Sequence, residues 1–392
     1  MMMEPKIRLR GFSGEWNKTT FGAFGNVAMC RRIFKEQTTE QGDIPFYKIG
    51  TFGKEPDAFI SYDLYDEYKT KYPFPQKGDI LISAAGTIGR TVEYRGEDSY
   101  FQDSNIVWLN HSNKLDNSFL KQLYSIVKWS SLEGATIQRL YNSNILETEI
   151  NIPSLPEQRA LATFFTSLDN QISAAEKRLA SLKQVKAASL QAMFPQEGET
   201  TPKLRFKGCE GEWKKVKLGE IFQERNENDI HGEMLSVTMN NGIIKASQNG
   251  RFDNSNDDKS KYKVVKVNDI AYNSMRMWQG ASGCSSYEGI VSPAYTVLVP
   301  MDNVYPVFFS YLFKCDYILK IFRLNSQGLT SDTWNLKYPV LSKIEVYYPS
   351  SLTEQRQIAS YFTTLDRQIT AQSSKISKLK QIKSACLDQM FV

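Results

Sequence analysis

The chain has 392 residues, 41% of them hydrophobic, and 48 basic against 43 acidic side chains give a net charge of +5. That length exceeds one ordinary core and suits two domains of about 150 residues with connectors. No run approaches the roughly 18 apolar residues of a membrane span, and "MMMEPKIRLR" lacks the apolar centre of a secretory signal, so a cytoplasmic protein is expected. Cys30, Cys209, Cys284, Cys315 and Cys386 are scattered, odd in number and never in a C-x-x-C pair, which points to packed, reduced thiols rather than a disulfide framework or a thiolate zinc site.

The first element is "PKIRLRGFSGEW" at Pro5, after which a variable stretch runs from roughly 23 to 150. Within it "KGDILISAAGTIGR" from Lys77 sets a β-rich run between two turns, "NIVWL" at Asn105 adds a strand, and "SFLKQLYSIVKW" at Ser118 reads as a helix. The loops "FQDSN" at Phe101 and "IQRLYNSN" at Ile137 carry the Gln, Asn, Arg and Ser side chains that can read base edges in a groove. Ordinary surface loops share that composition. From Ser154 the pattern changes. Leu161, Phe165, Leu168, Ile172, Ala175, Leu179 and Leu182 recur by four and three in turn, the heptad spacing that keeps one seam facing a partner helix. Ser154-x-x-Glu157 fits a capping box, and about 38 residues at 1.5 Å rise make a rod of roughly 57 Å.

The second half retraces the first. "PKLRFKGCEGEW" begins at Pro202, 197 residues after its counterpart, with seven of twelve residues identical. A variable stretch follows, roughly 220 to 347, with strands in "VNDIAYNSMRMWQGASG" from Val267, "AYTVLV" at Ala294 and "KIEVYYP" at Lys343, and a helix in "PVFFSYLFKCDYILKIF" at Pro306. Its loops "SMRMWQG" at Ser274 and "QGLTSDTWN" at Gln327 are again polar and aromatic. "EQRQIASYFTTLDRQI" at Glu354 then repeats "EQRALATFFTSLDNQI" at Glu157 at the same offset of 197, behind the matching Ser351-x-x-Glu354, and its seam runs Ile358, Phe362, Leu365, Ile369, Gln372, Ile376, Leu379.

The chain is therefore a tandem duplication in which one part is constant and another has diverged. The expected fold class is α+β, with two mixed α/β domains in tandem repeat, 1–153 and 196–350, and two helical spacers, 154–195 and 351–392. Each helix either packs on its own domain or pairs with the other as an antiparallel coiled coil. The matching registers favour pairing, with the variable domains at opposite ends. The constant segments carry charges of +2 and +3, which leaves the rest of the chain neutral. Variable domains that touch DNA would need local basic patches or a basic partner.

Catalytic motifs are missing. His111 and His231 stand in unrelated contexts, which removes H-E-x-x-H zinc chemistry and a duplicated His-based triad, and no P-loop, dinucleotide fingerprint or N-P-P-[FY] stretch occurs. Asp57 followed by Glu67-x-Lys69 superficially matches a nuclease metal site. However, "DLYDEYKTKYP" is polar and turn-like where such a site has an apolar strand, and the other half has no counterpart. The motifs describe a binding protein.

With both constant segments in view, the chain resembles the specificity (S) subunit of type I restriction-modification enzymes over essentially its whole length. L-x-E-Q-R with F-x-x-L-D-x-Q-I, duplicated at one offset, carries the resemblance together with "GDILISAAGTIG", "NDIAYNSMRMWQGASG" and the preceding "IPS" and "YPS". The resemblance implies that each variable domain is a target recognition domain reading one half of a split DNA sequence. It implies that the two helices set the spacing and dock two methyltransferase (M) subunits. S-adenosylmethionine would then belong to those subunits, and ATP and Mg²⁺ to separate restriction/motor (R) subunits, with no metal or cofactor in this chain. Two unlike domains predict an asymmetric, bipartite target in double-stranded DNA. The loops and strand ends nominate Ser83, Thr87, Arg90, Gln138, Arg139 and Asn142 as base readers in the first domain, and Ser274, Arg276, Trp278, Gln279, Ser282, Thr330 and Trp334 in the second. The docking faces are expected around Gln158, Arg159, Asp169 and Gln171, and around Gln355, Arg356, Asp366 and Gln368. A specificity arm from a two-subunit or fused restriction system would share these motifs, and a scaffold that does not bind DNA is the remaining alternative.

Overall fold

The computed structural model describes residues 4–111, 113–129, 139–239, 241–248 and 258–392. The chain forms two compact units, Met1–Glu176 with Ser374–Val392, and Lys177–Ser373.

In the first unit the elements run β1 (Asn17–Thr20), β2 (Gly25–Ala28), β3 (Ile44–Tyr47), β4 (Phe59–Ile60), α1 (Tyr62–Lys71), β5 (Ile80–Ser83), β6 (Thr91–Glu93), β7 (Tyr100–Phe101), β8 (Ile106–His111), α2 (Asn117–Tyr124), α3 (Asn142–Glu147), β9 (Glu149–Ile152) and the start of a long helix, α4 (Leu155–Met193). A four-stranded sheet in the order β2-β8-β5-β6 lies at its centre, with a β1-β9 pair and a three-stranded sheet β4-β3-β7 beside it. All four residues of β5 are buried because both faces of the central sheet are covered. Ile80, Ile82, Val107 and Leu109 pack with α2 and the long helices, whereas Leu81, Ile106 and Trp108 pack with Phe46, Tyr65 and Tyr100 on the other side.

The second unit runs β10 (Lys214–Lys217), α5 (Leu218–Ile221), β11 (Phe222–Glu224), β12 (Leu235–Thr238), β13 (Gly242–Lys245), β14 (Lys263–Val265), β15 (Ile270–Asn273), β16 (Ser282–Cys284), β17 (Gly289–Val291), β18 (Tyr295–Pro300), α6 (Pro306–Leu312), α7 (Asp316–Asn325), α8 (Tyr338–Leu341), β19 (Glu345–Tyr348) and the start of α9 (Leu352–Met390). Its central sheet, β11-β18-β15-β16, has the same strand order as the first. Ile270, Tyr272 and Leu298 face the helices, and Ala271 and Val297 face a layer built from β12-β13 and β14-β17. One architecture thus survives in two stretches whose sequences hardly match.

Within each unit the long helices meet antiparallel. In the first, Asp169 of α4 accepts from Lys383 of α9 (2.6 Å), and Lys380 pairs with Glu176 (2.7 Å). In the second, Lys186 pairs with Asp366, and Ser189 bonds Tyr361 (2.8 Å). The heptad seam is the buried stripe, but its early residues Leu161, Phe165 and Leu168, like Ile358, Phe362 and Leu365, also belong to the cores of the domains. Both readings of the seam hold, each for part of the helix.

Three local expectations need correction. The segment from Pro306 is two helices, α6 and α7, broken at Phe313–Cys315. The polar stretch after Ser61 is a helix, α1, capped by the Ser61 hydroxyl, and on it Glu67 pairs with Lys71 (3.0 Å) while Asp57 pairs with Lys48 (2.9 Å). Among the described residues no group of three or more His, Cys, Asp or Glu could hold a metal. Finally, Glu157 and Glu354 do not reach back to close a capping box, because arginines far away in sequence capture them.

Candidate nucleic-acid interface and helix-end clamps

Those arginines come from the short elements that open each repeat. Arg8 grips Glu157 through Nε and Nη2, both 2.8 Å, and Arg205 grips Glu354 at 2.9 and 2.8 Å. Each guanidinium also donates to two backbone carbonyls, of Ser13 and Gly14 in one unit and Glu210 and Gly211 in the other. The carboxylates raise both arginines' pKa above the ordinary value. The planar fork of arginine matches a carboxylate in two bonds, so the "GEW" element is fastened to the helix start in each repeat.

The neighbouring glutamines do a related job. Gln158 accepts from Asp116 N (3.0 Å) and donates to the carbonyls of Lys114 (3.3 Å) and Pro153 (3.0 Å). Gln355 accepts from Tyr305 N (2.8 Å) and donates to Asn303 (3.3 Å) and Pro349 (2.9 Å). Both are buried. Their amides are used inside the chain, which removes them from the expected docking face. Asp169 and Asp366 are likewise engaged: besides its lysine, Asp169 accepts from Gln122 (3.1 Å) and Asp366 from the Tyr311 hydroxyl (2.9 Å). An aromatic cluster closes each end. Phe391 meets Phe165, Trp16 and Phe119 at 5.7, 5.9 and 5.4 Å, and Phe194 meets Phe362, Trp213 and Phe308 at 5.7, 6.2 and 5.4 Å. Met193-Phe194 and Met390-Phe391 are themselves a repeat at the offset of 197, but nothing in the sequence shows their partners.

Arg159 and Gln171 are exposed on α4, as Arg356 and Gln368 are on α9. In the first unit Arg159, Thr163, Thr166, Asn170 and Gln171 line a groove of about 820 Å³ with Asp116 and Ser118 of α2. Steps of four, three and four put Arg159, Thr163, Thr166 and Asn170 on one helix face with Gln171 next to it, and the same positions of α9 read Arg356, Ser360, Thr363, Arg367 and Gln368.

Segments that carry nominated base readers meet at equivalent points of the two central sheets. Leu140 N donates to Ala84 O just beyond β5 (2.8 Å), and Leu336 N donates to Ser274 O just beyond β15 (2.9 Å). This hydrogen bond lays a second segment beside the loop that leaves the strand. In the first unit it joins Arg139 to the loop Ser83–Arg90. Ser83 is only 1% exposed, its hydroxyl bonded to Thr87 O and Arg90 N. Thr87 and Asn142 are exposed. Arg90 donates to Phe52 O (2.9 Å) and Arg139 to Ser104 O (2.9 Å), so both cations are held in place. Gln138 lies outside the described residues.

In the second unit Trp278 and Trp334 meet at 5.2 Å with rings 73° apart, and Arg323 stands 5.5 Å over Trp334. Gln279 and Thr330 are exposed and Arg276 half-buried, whereas Ser274, bonded to Thr296 (2.9 Å), and Ser282 are buried. The buried Ser83 and Ser274 hydroxyls are bonded within the chain, and the buried Ser282 hydroxyl has no partner, so none of the three presents a hydroxyl to a ligand.

Lys314, at the end of α6, was not foreseen. Its Nζ donates to the carbonyls of Met239 (2.9 Å), Gly280 and Ser282 (2.9 Å), which ties the β12-β13 turn to the loop before β16. Burial pushes its pKa down to about 8. A single lysine inside the apolar run "YLFKCDYIL" was the available signal.

A family model, the type I restriction modification DNA specificity domain, matches residues 13–184 and again 210–381, at the offset of the sequence repeat. The chain belongs to this family. A putative type I restriction enzyme specificity subunit of Haemophilus influenzae, S.HindORF215P, is 56% identical over 164 residues, 41% of this chain and 43% of that subunit, so the match spans less than half of the relative. The MjaVIII specificity subunit of Methanocaldococcus jannaschii is 22% identical over 333 residues, 79% of this chain and 75% of that one. Among solved structures, the S subunit of a type I system from M. genitalium superposes with a TM-score of 0.62 at 19% identity, covering 100% of this chain and 99% of that one, which shows a shared fold. Among the described residues no helix is long and apolar enough to cross a membrane.

Proposed function

We propose that this chain is the DNA-reading subunit of a type I restriction-modification complex, each unit reading one half of an asymmetric, bipartite duplex target. The observation that carries this reading is the pair of equivalent loop clusters, placed alike on sheets of one topology yet built from unlike side chains. Domains 1–153 and 196–350 are the readers, and the helical segments 154–195 and 351–392 are the constant part. Thr87, Arg90, Arg139 and Asn142 serve the first half-site, with Gln138 beside them in sequence. Arg276, Trp278, Gln279, Thr330 and Trp334 serve the second.

Two methyltransferase subunits dock on the repeated exposed helix face, Arg159 to Gln171 and Arg356 to Gln368. They carry S-adenosylmethionine, and restriction/motor subunits carry ATP and Mg²⁺, so this chain supplies recognition and the partners supply the chemistry. The near-neutral charge of the domains fits a division in which partners provide much of the phosphate contact. Selection of bound duplexes from a randomised library by the assembled complex tests this. The expected result is two unlike, specified blocks separated by unspecified base pairs. A palindromic selected site, or none, contradicts it.

A further inference from the structure

The segment Ser326–Asn335, "SQGLTSDTWN", leaves α7 and closes on itself. Gln327 and Asn335 exchange two backbone hydrogen bonds of 3.0 and 2.8 Å, and the amides of Thr333 and Trp334 both donate to Thr330 O at 3.0 and 3.1 Å. Thr330 N donates to the Thr333 hydroxyl (3.1 Å). Gly328 has φ +147°, and a Cβ there would stand 2.6 Å from Thr333 O, so the closure requires glycine. The base is braced by the Trp334 contacts with Trp278 and Arg323. At the apex Leu329 has a relative exposure of 101%, above every other large exposed hydrophobe among the described residues.

A leucine held wholly in water on a braced loop contributes nothing to the packing of its own unit. We propose that Leu329 is a wedge that enters the step between two base pairs of the half-site read by the second unit. The inference rests on the DNA-reading function proposed above. Leucine is among the apolar side chains that proteins drive between base steps from the minor groove, unstacking the bases and kinking the duplex. The loop neighbours of Leu329 are Gln327, Thr330, Ser331, Asp332 and Thr333, all polar and exposed. One apolar side chain ringed by polar ones is too small for the buried centre of a protein interface and matches a single base step. Arg323 at the loop's base, with Lys337 just beyond Leu336, suits the flanking phosphates, against one carboxylate in the loop, Asp332.

The test uses the full chain assembled with its methyltransferase subunits, and target duplexes carrying one 2-aminopurine at each step of the second half-site in turn. Selective binding of the target over a scrambled duplex is established first. Apart from the target adenine, which the methyltransferase itself flips out of the stack, the wild type should brighten one step, and Leu329→Ala should lose that brightening and bind on the order of tenfold more weakly, the apolar contact of one leucine. Leu329→Met should retain both, and so should Leu324→Ala, which removes an exposed leucine outside the loop. Selective binding with every brightened step unchanged in Leu329→Ala would overturn the wedge and leave the DNA reading intact. So would loss of a partner subunit from Leu329→Ala, which would make Leu329 a protein contact. Absence of selective binding by the wild type would overturn the DNA reading and the wedge with it.

Discussion

At the helix-end clamps the two units share their main bonds, although Trp213 Nε1 also donates to Glu354 (3.3 Å) whereas Trp16 Nε1 is buried without a partner. The arginine–glutamate forks differ by 0.1 Å, the glutamines find three equivalent partners each, and Lys383–Asp169 has its twin in Lys186–Asp366. Above the central sheets the units share one hydrogen bond, from Leu140 N or Leu336 N, and then part company. The first steadies two arginines on backbone carbonyls; the second builds a tryptophan pair and a lysine that holds three carbonyls. The difference separates what the fold requires twice from what it leaves free. A clamp cannot drift because a change on one side strands a buried charge or amide on the other. A loop above a sheet can change provided its backbone anchor is kept.

The clamps supply the strongest test of that contrast. Glu157→Ala and Glu354→Ala each leave a part-buried arginine without its carboxylate, and each should cost about 1.5–3 kcal/mol of stability in chemical denaturation. Near-equal losses support functional equivalence of the two clamps, and a large inequality breaks it. The loops should behave oppositely. Arg276→Ala should relax preference at one base pair of one half-site by roughly 1–3 kcal/mol, with the other half-site unaffected, in competitive binding to single-substituted duplexes. Arg90→Ala should do the reverse. Asp169→Asn and Asp366→Asn weaken partly exposed ion pairs, so each should lower stability by about 1 kcal/mol or less, measured in the same way.

A pH-dependent effect belongs to Lys314. Its folded pKa of about 8 lies below the ordinary 10.5, so between those values the unfolded chain holds more protons. The contribution of Lys314 to stability is therefore lowest below about pH 8 and rises as pH climbs toward 10.5. The midpoint of wild-type unfolding, taken relative to that of Lys314→Met, should rise across that window and stay flat below it. A relative midpoint that falls instead would reverse the sign of the shift.

The sequence exposed the duplication, the heptad seam and the strands at Ile80 and Ile270, because periodicity and repetition are local properties of a string. Glu157 and Gln158 were visible as a motif, but their roles were not. Their partners Arg8, Lys114 and Asp116 lie far off in sequence, and a buried glutamine looks like an exposed one until its hydrogen bonds are traced. The nominated base readers divided for a similar reason. Ser83, Ser274 and Ser282 have suitable chemistry and lie near the right loops, yet a side chain at a strand end can face inward, and the pleat decides which. Lys314 and Arg323 lie in or just beyond the segment from Pro306 that reads as one helix, and nothing in the sequence shows which loops they reach.

The central claim is that two unlike units read two unlike half-sites through separate loop clusters. Its most direct test is methylation mapping by single-molecule sequencing, with the chain and its methyltransferase subunit expressed as wild type and as Arg276→Ala. The account predicts a split, asymmetric motif with one modified adenine in each half, and in the variant a motif relaxed in one half alone. A palindromic motif, or one relaxed equally in both halves, would contradict it.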